Sequence, residues 1–204
     1  MLTRIPLAGV VLAALFALPS TAHAQAKSGV SAPAAPATGL GLVLEGGFEF
    51  GGAKLIEIQF VDGSSQSLTA GQGGTIAAGL EFRPAGQPRL SVAATIGYKF
   101  VTNASENADI GITRVPAEAI ARWSLTPDWS IGAGLTAHSS VNVNGDGFFP
   151  DSEMESSTGP TLELGWRWLA VTYTKLEYTD AADEKFDAGS VGVMFRYVWR
   201  PRAR

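Results

Sequence analysis

The 204-residue chain contains no cysteine. That absence excludes disulfides, thiolate metal sites and a lipid anchor on a mature N-terminal cysteine. Basic residues are few as well: 15 Lys and Arg stand against 19 Asp and Glu, for a formal net charge of −4. Loss of Arg4 with a leader would make the balance more negative still, so nothing points to nucleic acid. Apolar stripes of helical period are scarce, and after Ile5 to Leu18 no run of 18 apolar residues follows, so no spanning helix is expected. No glycine-rich nucleotide fingerprint and no His/Asp/Glu cluster with transition-metal spacing occurs, and no cofactor is expected.

What is present begins with an address. Arg4 precedes the apolar run "IPLAGVVLAALFAL", and "TAHA" (Thr21 to Ala24) offers small residues for cleavage near Ala24. Residues 1–24 are thus expected to be a signal peptide that exports the chain from a bacterial cytoplasm. Residues 25–38, small and Pro-containing, are expected to form a flexible N-terminal segment. Residues 39–204 then make one domain.

The dominant pattern in that domain has a period of two. In "RLSVAATIGYKF", Leu90, Val92, Ala94, Ile96, Tyr98 and Phe100 share one face. Further alternating runs start near Leu40, Ile76, Val115, Trp129, Leu162, Leu169 and Val191, the facing of Leu169–Thr179 being open. These make eight strands. Tight turns are expected at Pro84–Pro88, Thr126–Asp128 and Arg167–Leu169. Longer polar loops are expected at about 51–73, 101–113, 141–158 and 180–186. The first holds a hairpin turning at "DGSS" (Asp62 to Ser65), read as strands extended above a membrane.

Short turns on one rim and long loops on the other predict an all-β, eight-stranded antiparallel up-and-down transmembrane barrel, with periplasmic turns and extracellular loops. Trp123, Trp129, Trp166, Trp168 and Trp199 fall at the short-turn rim with apolar-face parity, as a membrane-interface girdle does. Phe50, Tyr98, Phe100 and Tyr178 are assigned to the opposite rim. The other parity gives a lumen lined by Glu45, Glu49, Glu81, Lys99, Arg114, Glu118, Arg122, Glu163, Arg167, Lys175, Glu177 and Arg196. Eight strands leave an interior that side chains fill, and near-equal acids and bases predict a closed, charge-paired core. A porin would need an open lumen instead.

Two stretches suggest chemistry. Asn142, Asn144, Asp146 and Glu153 occupy positions 1, 3, 5 and 12 of a calcium loop, with Gly147 at its glycine. Strands rather than helices flank it, so an acidic external loop is the first reading and calcium binding the alternative. His138 and Ser140 form the one plausible catalytic pair, with Glu153 or Glu155 as support. Parity points both His138 and Ser140 inward. Their His-x-Ser spacing resembles the lipid A deacylase family of outer-membrane hydrolases, which implies a serine hydrolase as an alternative function.

The whole mature chain resembles the small eight-stranded outer-membrane barrels. "NADIGITRVPAEAIARW", "GAGLTAHSSVNVNGDGFF", "LAVTYTKLEYTD" and "FDAGSVGV" look like a family of uncharacterised proteobacterial outer-membrane β-barrel proteins. That resemblance implies fold and location but no activity. The resulting expectation is a monomeric, non-enzymatic protein of the Gram-negative outer membrane, with a structural or surface-interaction role. Its expected partners are membrane lipids, lipopolysaccharide and, during biogenesis, the barrel-assembly machinery.

Overall fold

The computed structural model describes residues 38–59, 65–105, 108–147 and 150–201. The signal peptide, nearly all of the flexible segment and most of the DGSS turn lie outside these residues. The described residues form thirteen strands. They are β1 (Gly39–Phe50), β2 (Lys54–Gln59), β3 (Ser65–Thr69), β4 (Gly73–Arg83), β5 (Leu90–Ser105), β6 (Ala108–Ser124) and β7 (Trp129–Asn144). Then come β8 (Ser152–Ser156), β9 (Thr158–Trp166), β10 (Leu169–Thr174), β11 (Glu177–Thr179), β12 (Lys185–Asp187) and β13 (Ser190–Trp199).

Eight of them close a ring in the order β1, β4, β5, β6, β7, β9, β10, β13 and back to β1. Every junction is antiparallel, including the closing pair, where Leu42 faces Trp199 and Phe50 faces Val191. The alternation divides the closed sheet into two faces, one apolar and one ionic. The apolar parity faces out: Leu42, Leu80, Ile96, Ile131, Leu164 and Val193 are 42–62% exposed. The polar parity faces in, with Lys99, Arg114, Arg122 and Glu163 buried.

Above the ring the pattern inverts. β8 pairs with the end of β7 (Val141 opposite Met154) and with β11, which pairs with β12. These three short strands prolong β9, β10 and β13 beyond the ring. Here the apolar side chains point inward. Ile110, Ile112, Val141, Val143, Leu176 and Tyr178 form a buried cluster with Leu68, Ala70 and Ala188. The hairpin of β2 and β3 pairs only with itself among the described residues, and its Leu68, Leu55 and Ile56 pack on this cluster.

Three expectations are corrected by this arrangement. The hairpin does not simply extend above the ring; it folds inward over the opening, because its apolar side chains have a cluster to join. The span 101–113 is not a loop, since β5 and β6 remain paired to Ser105 opposite Ala108. Much of 141–158 is likewise strand, paired from Val141 to Val143 with Met154 to Ser152.

The two apolar phases meet through a bulge. Thr113 pairs with Asn142 but Val115 pairs with Ser139, so β7 carries an additional residue there. Ser140 absorbs it with φ of 49°, in the left-handed region. His138 therefore faces inward, and past the bulge Val141 and Val143 do too.

Space inside the ring is set by small residues. A Cβ on Gly132 would lie 3.0 Å from Ile120 Cδ1, 3.2 Å from Glu163 Cβ and 3.3 Å from Arg122 Cγ. Gly132→Val is expected to cost about 1–3 kcal/mol through overpacking, read as a lowered urea midpoint in detergent. Gly86→Val, at a turn position where a Cβ meets nothing within 4 Å, should leave the midpoint unchanged.

Candidate functional site

The interior is organised in layers along the axis. Nearest the short-turn mouth, Arg200 donates to Glu81, and Arg83 Nη2 lies 3.8 Å from the same carboxylate oxygen. One layer deeper, Arg122 is the hub. Its Nε and Nη2 donate to Glu163 at 2.9–3.1 Å, and Nη2 also reaches Glu45 Oε1 at 2.9 Å. Arg196 Nη1 donates to the other face of Glu163 at 2.7 Å, and Glu118 lies 4.0 Å from Arg122. Four strands that are distant in sequence thus supply one cluster. Such buried charges are tolerable because each finds an opposite charge and further hydrogen bonds.

A chain of hydroxyls comes next. Thr136 Oγ1 lies 2.7 Å from Thr161 Oγ1, which lies 3.0 Å from Thr174 Oγ1, and Thr136 also donates to Glu118 at 3.1 Å. The remaining lumen space is a cavity of about 50 Å³ between these groups, reaching Thr75, Met194 and His138. It has room for a few waters.

The top layer fastens the hairpin. Lys99 Nζ pairs with Glu49 at 2.7 Å and donates to the Gly71 carbonyl at 2.8 Å. Arg114 donates to the Ala70 and Gln72 carbonyls and, at 3.3 Å, to the Tyr178 hydroxyl. That hydroxyl lies 2.6 Å from His138 Nδ1. Ser190 and Thr75 donate to Glu49 at 2.9 and 3.2 Å. The segment returning from β3 is thus held across the barrel by two cations below and the apolar cluster above.

Of the lumen set read from the sequence, Glu45, Glu49, Glu81, Lys99, Arg114, Glu118, Arg122, Glu163 and Arg196 lie in these layers. Arg167, Lys175 and Glu177 do not. Arg167 sits at the β9–β10 turn with φ of 55°, pairs with Asp128 at 3.0 Å and lies over the Trp166 ring. Lys175 and Glu177 share the outward parity of Val171 and Tyr173, because Thr172, Thr174, Leu176 and Tyr178 take the inner face. The same facing removes Tyr178 from the outer aromatic row and buries it completely.

All five tryptophans are on the outer face at the short-turn end, 39–55% exposed. Trp129 is paired across strands with Trp166, and Trp168 stacks on Phe195 with ring centroids 5.5 Å apart. Phe48, Phe50, Tyr98, Phe100 and Tyr173 are exposed toward the opposite end.

The candidate catalytic pair is not assembled. The bulge exposes Ser140, while the His138 ring is buried against Tyr178 rather than near a serine. The calcium-like stretch is part of a hairpin in which Asn142 stands opposite Glu153. Its would-be ligands are engaged locally: Asn142 Nδ2 donates to the Ser140 carbonyl, and Asn144 Oδ1 accepts from the Asp146 amide. Among the described residues no group of three or more acidic, His or Cys side chains could hold a metal ion.

Sequence reasoning missed the lid carbonyls of Ala70, Gly71 and Gln72, the three threonines and Arg200. The threonines had an available signal, since Thr172 and Thr174 alternate with Val171 and Tyr173.

Neither a protein-family model nor a curated protein sequence matches the chain. Solved structures with some likeness include the attachment invasion locus protein Ail of Yersinia pestis bound to the heparin analogue sucrose octasulfate. It is 11% identical, has a TM-score of 0.41, and the match covers 78% of this chain and 99% of Ail. Ail in a phospholipid bilayer nanodisc gives 9% identity, a TM-score of 0.34 and coverage of 77% and 99%. The barrel therefore rests on its own strand pairing rather than on these likenesses.

Arg122→Met should destabilise the barrel by about 3–5 kcal/mol, because Glu45 would remain buried without its ion-pair partner and Glu163 would keep only Arg196. Arg122→Met combined with Glu163→Gln should cost clearly less than the sum of the single changes. Detergent unfolding midpoints of the four proteins measure this.

Proposed function

We propose that the chain is an integral outer-membrane β-barrel whose closed, charge-paired lumen serves a structural or surface-interaction role in the cell envelope. The supporting observation is the outer face. Aliphatic side chains encircle the ring, open to the surroundings, between the tryptophans at one end and Phe50, Tyr98 and Phe100 at the other. Water would not tolerate so large a continuous apolar belt, whereas hydrocarbon bounded by two interfaces suits it. No helix among the described residues is long and apolar enough to cross a membrane, and strands take that role.

The inversion of pattern supports an orientation. Beyond Phe100 the outward residues turn polar (Thr102, Thr113, Asn142, Asn144 and Glu153) while the inward ones turn apolar. That is how a β-structure surrounded by water is built. Strands β8, β11 and β12 and the upper ends of β5 to β7 therefore stand in the external medium, and the short turns face the periplasm. A stiff, lidded platform projecting from the cell suits contact with other surfaces better than transport. Lipopolysaccharide and phospholipid are its surroundings, and the barrel-assembly machinery its route of insertion.

Fractionation tests the location: the protein should enter the outer-membrane pellet and show heat-modifiable gel mobility. Recovery as a dissolved periplasmic protein would overturn it. In planar bilayers the intact chain should give no conductance above background, since the lumen cavity of about 50 Å³ is interrupted by ionic layers and capped. Reproducible unitary currents would replace this reading with that of a small porin.

A further inference from the structure

A second cavity, of about 400 Å³, opens at the short-turn mouth, on the far side of the Arg122 cluster from the lid. Its lining is cationic. Arg83, Arg122, Arg167, Arg196 and Arg200 all contribute, against Glu81 and Asp128. Asp128 is taken by Arg167, and Glu163 serves both Arg122 and Arg196. That leaves Glu81, a single carboxylate whose one oxygen is approached by two guanidinium groups, Arg83 and Arg200. One carboxylate neutralises one of them, so this outermost layer keeps a positive charge, whereas in the layer beneath it Glu45, Glu118 and Glu163 answer Arg122 and Arg196.

Hydrogen bonding shows the same deficit. Arg83 Nε, Arg200 Nε and Arg122 Nη1 are buried without a partner among the described residues, and all three side chains line this cavity. The Arg122 side chain is only 4% exposed. A buried N–H without an acceptor is destabilising, the more so on a charged group. Arg122 also borders the lumen cavity, so the Nε donors of Arg83 and Arg200 are the ones that mark the mouth as acceptor-poor, and a chloride-sized point charge would bridge them poorly. A tetrahedral oxyanion would offer several oxygens at once, in the geometry that guanidinium forks match. Trp129 and Trp168 stand at the edge of the same cavity, so occupancy should alter indole emission.

We infer that this vestibule is an anion site for a phosphate group, held between Arg83 and Arg200 with Arg122 at its floor. The phosphate comes either from free inorganic phosphate or from the head group of a phospholipid at that rim; only the lipid source rests on the membrane reading above. Glu81 competes with the anion for the same two arginines. That competition separates a binding site from a merely structural ion pair.

The test uses the full mature chain, folded in maltoside micelles and titrated with inorganic phosphate at constant ionic strength against chloride, read by tryptophan emission. Saturable binding is expected. Arg200→Gln and Arg83→Gln should each weaken it at least tenfold. Glu81→Gln should tighten it several-fold, because the two guanidinium groups lose their internal counter-charge and keep only a neutral amide oxygen. Heat-modifiable mobility shows which variants fold; should an arginine variant fail to fold, Glu81→Gln alone decides the matter.

A linear, unsaturable response in the wild-type protein, or unchanged affinity in Glu81→Gln, would overturn the site. Repeating the titration in phosphatidylglycerol nanodiscs identifies the source. Loss of phosphate binding there, with retention in micelles, assigns the site to lipid; unchanged binding assigns it to the soluble anion.

Discussion

Because β1 is paired with β4 on one side and with β13 on the other, the ring has no free edge, and every second side chain must point into a narrow interior. The sequence places charge at many of those positions. Each inward charge must then be answered by another from a different strand, which makes the ionic layers a consequence of closure rather than an addition to it. The Arg122 cluster joins β1, β6, β9 and β13, so it forms only when the ring has closed. Small residues serve the same need: Gly132 and Gly165 leave the room that Arg122, Glu163 and Arg196 occupy. Isolated strands would gain little from such contacts, which need side chains from several strands at once.

The ring itself was legible because a period of two survives any loop length. All eight ring strands could be read, along with the outward face of the five tryptophans. What failed lies where the alternation changes phase. In "DIGITRVPAEAIARW" the apolar parity moves from Ile110 and Ile112 to Val115 and Ala117, with Arg114 at the switch; the outward stripe was read only from Val115, and Ile110 and Ile112 were assigned to a loop. The bulge at Ser140 is harder to foresee, because a left-handed serine carries no sequence signature and one inserted residue reverses every side chain beyond it. His138 and Ser140 looked like neighbours on one face for that reason alone.

The polar ends of β5 to β9 were taken for loops because outward Thr, Asn and Ser dominate their composition. Their inward partners (Ile110, Ile112, Val141 and Val143) form a buried apolar cluster on paired strands. Arg167, Lys175 and Glu177 were misplaced by a related assumption, that any charge in a barrel belongs inside. Near either rim an outward charge reaches solvent at little cost, so parity decides and chemical type does not.

Arg114 stands at the boundary between these two regimes and explains why the lid is fixed. Among the described residues it makes no ion pair; its charge is met by the Ala70 and Gln72 carbonyls and the Tyr178 hydroxyl. Lys99 is held from one side by Glu49 and spends a further donor on Gly71. Lifting the 70–72 segment would therefore strand a fully buried guanidinium and expose Leu68 with its apolar neighbours, two penalties that act together. A gate needs two states of similar free energy, and this seam offers one state favoured by both its ionic and its apolar face. The 70–72 segment is thereby tied to the barrel wall through both its ionic and its apolar face.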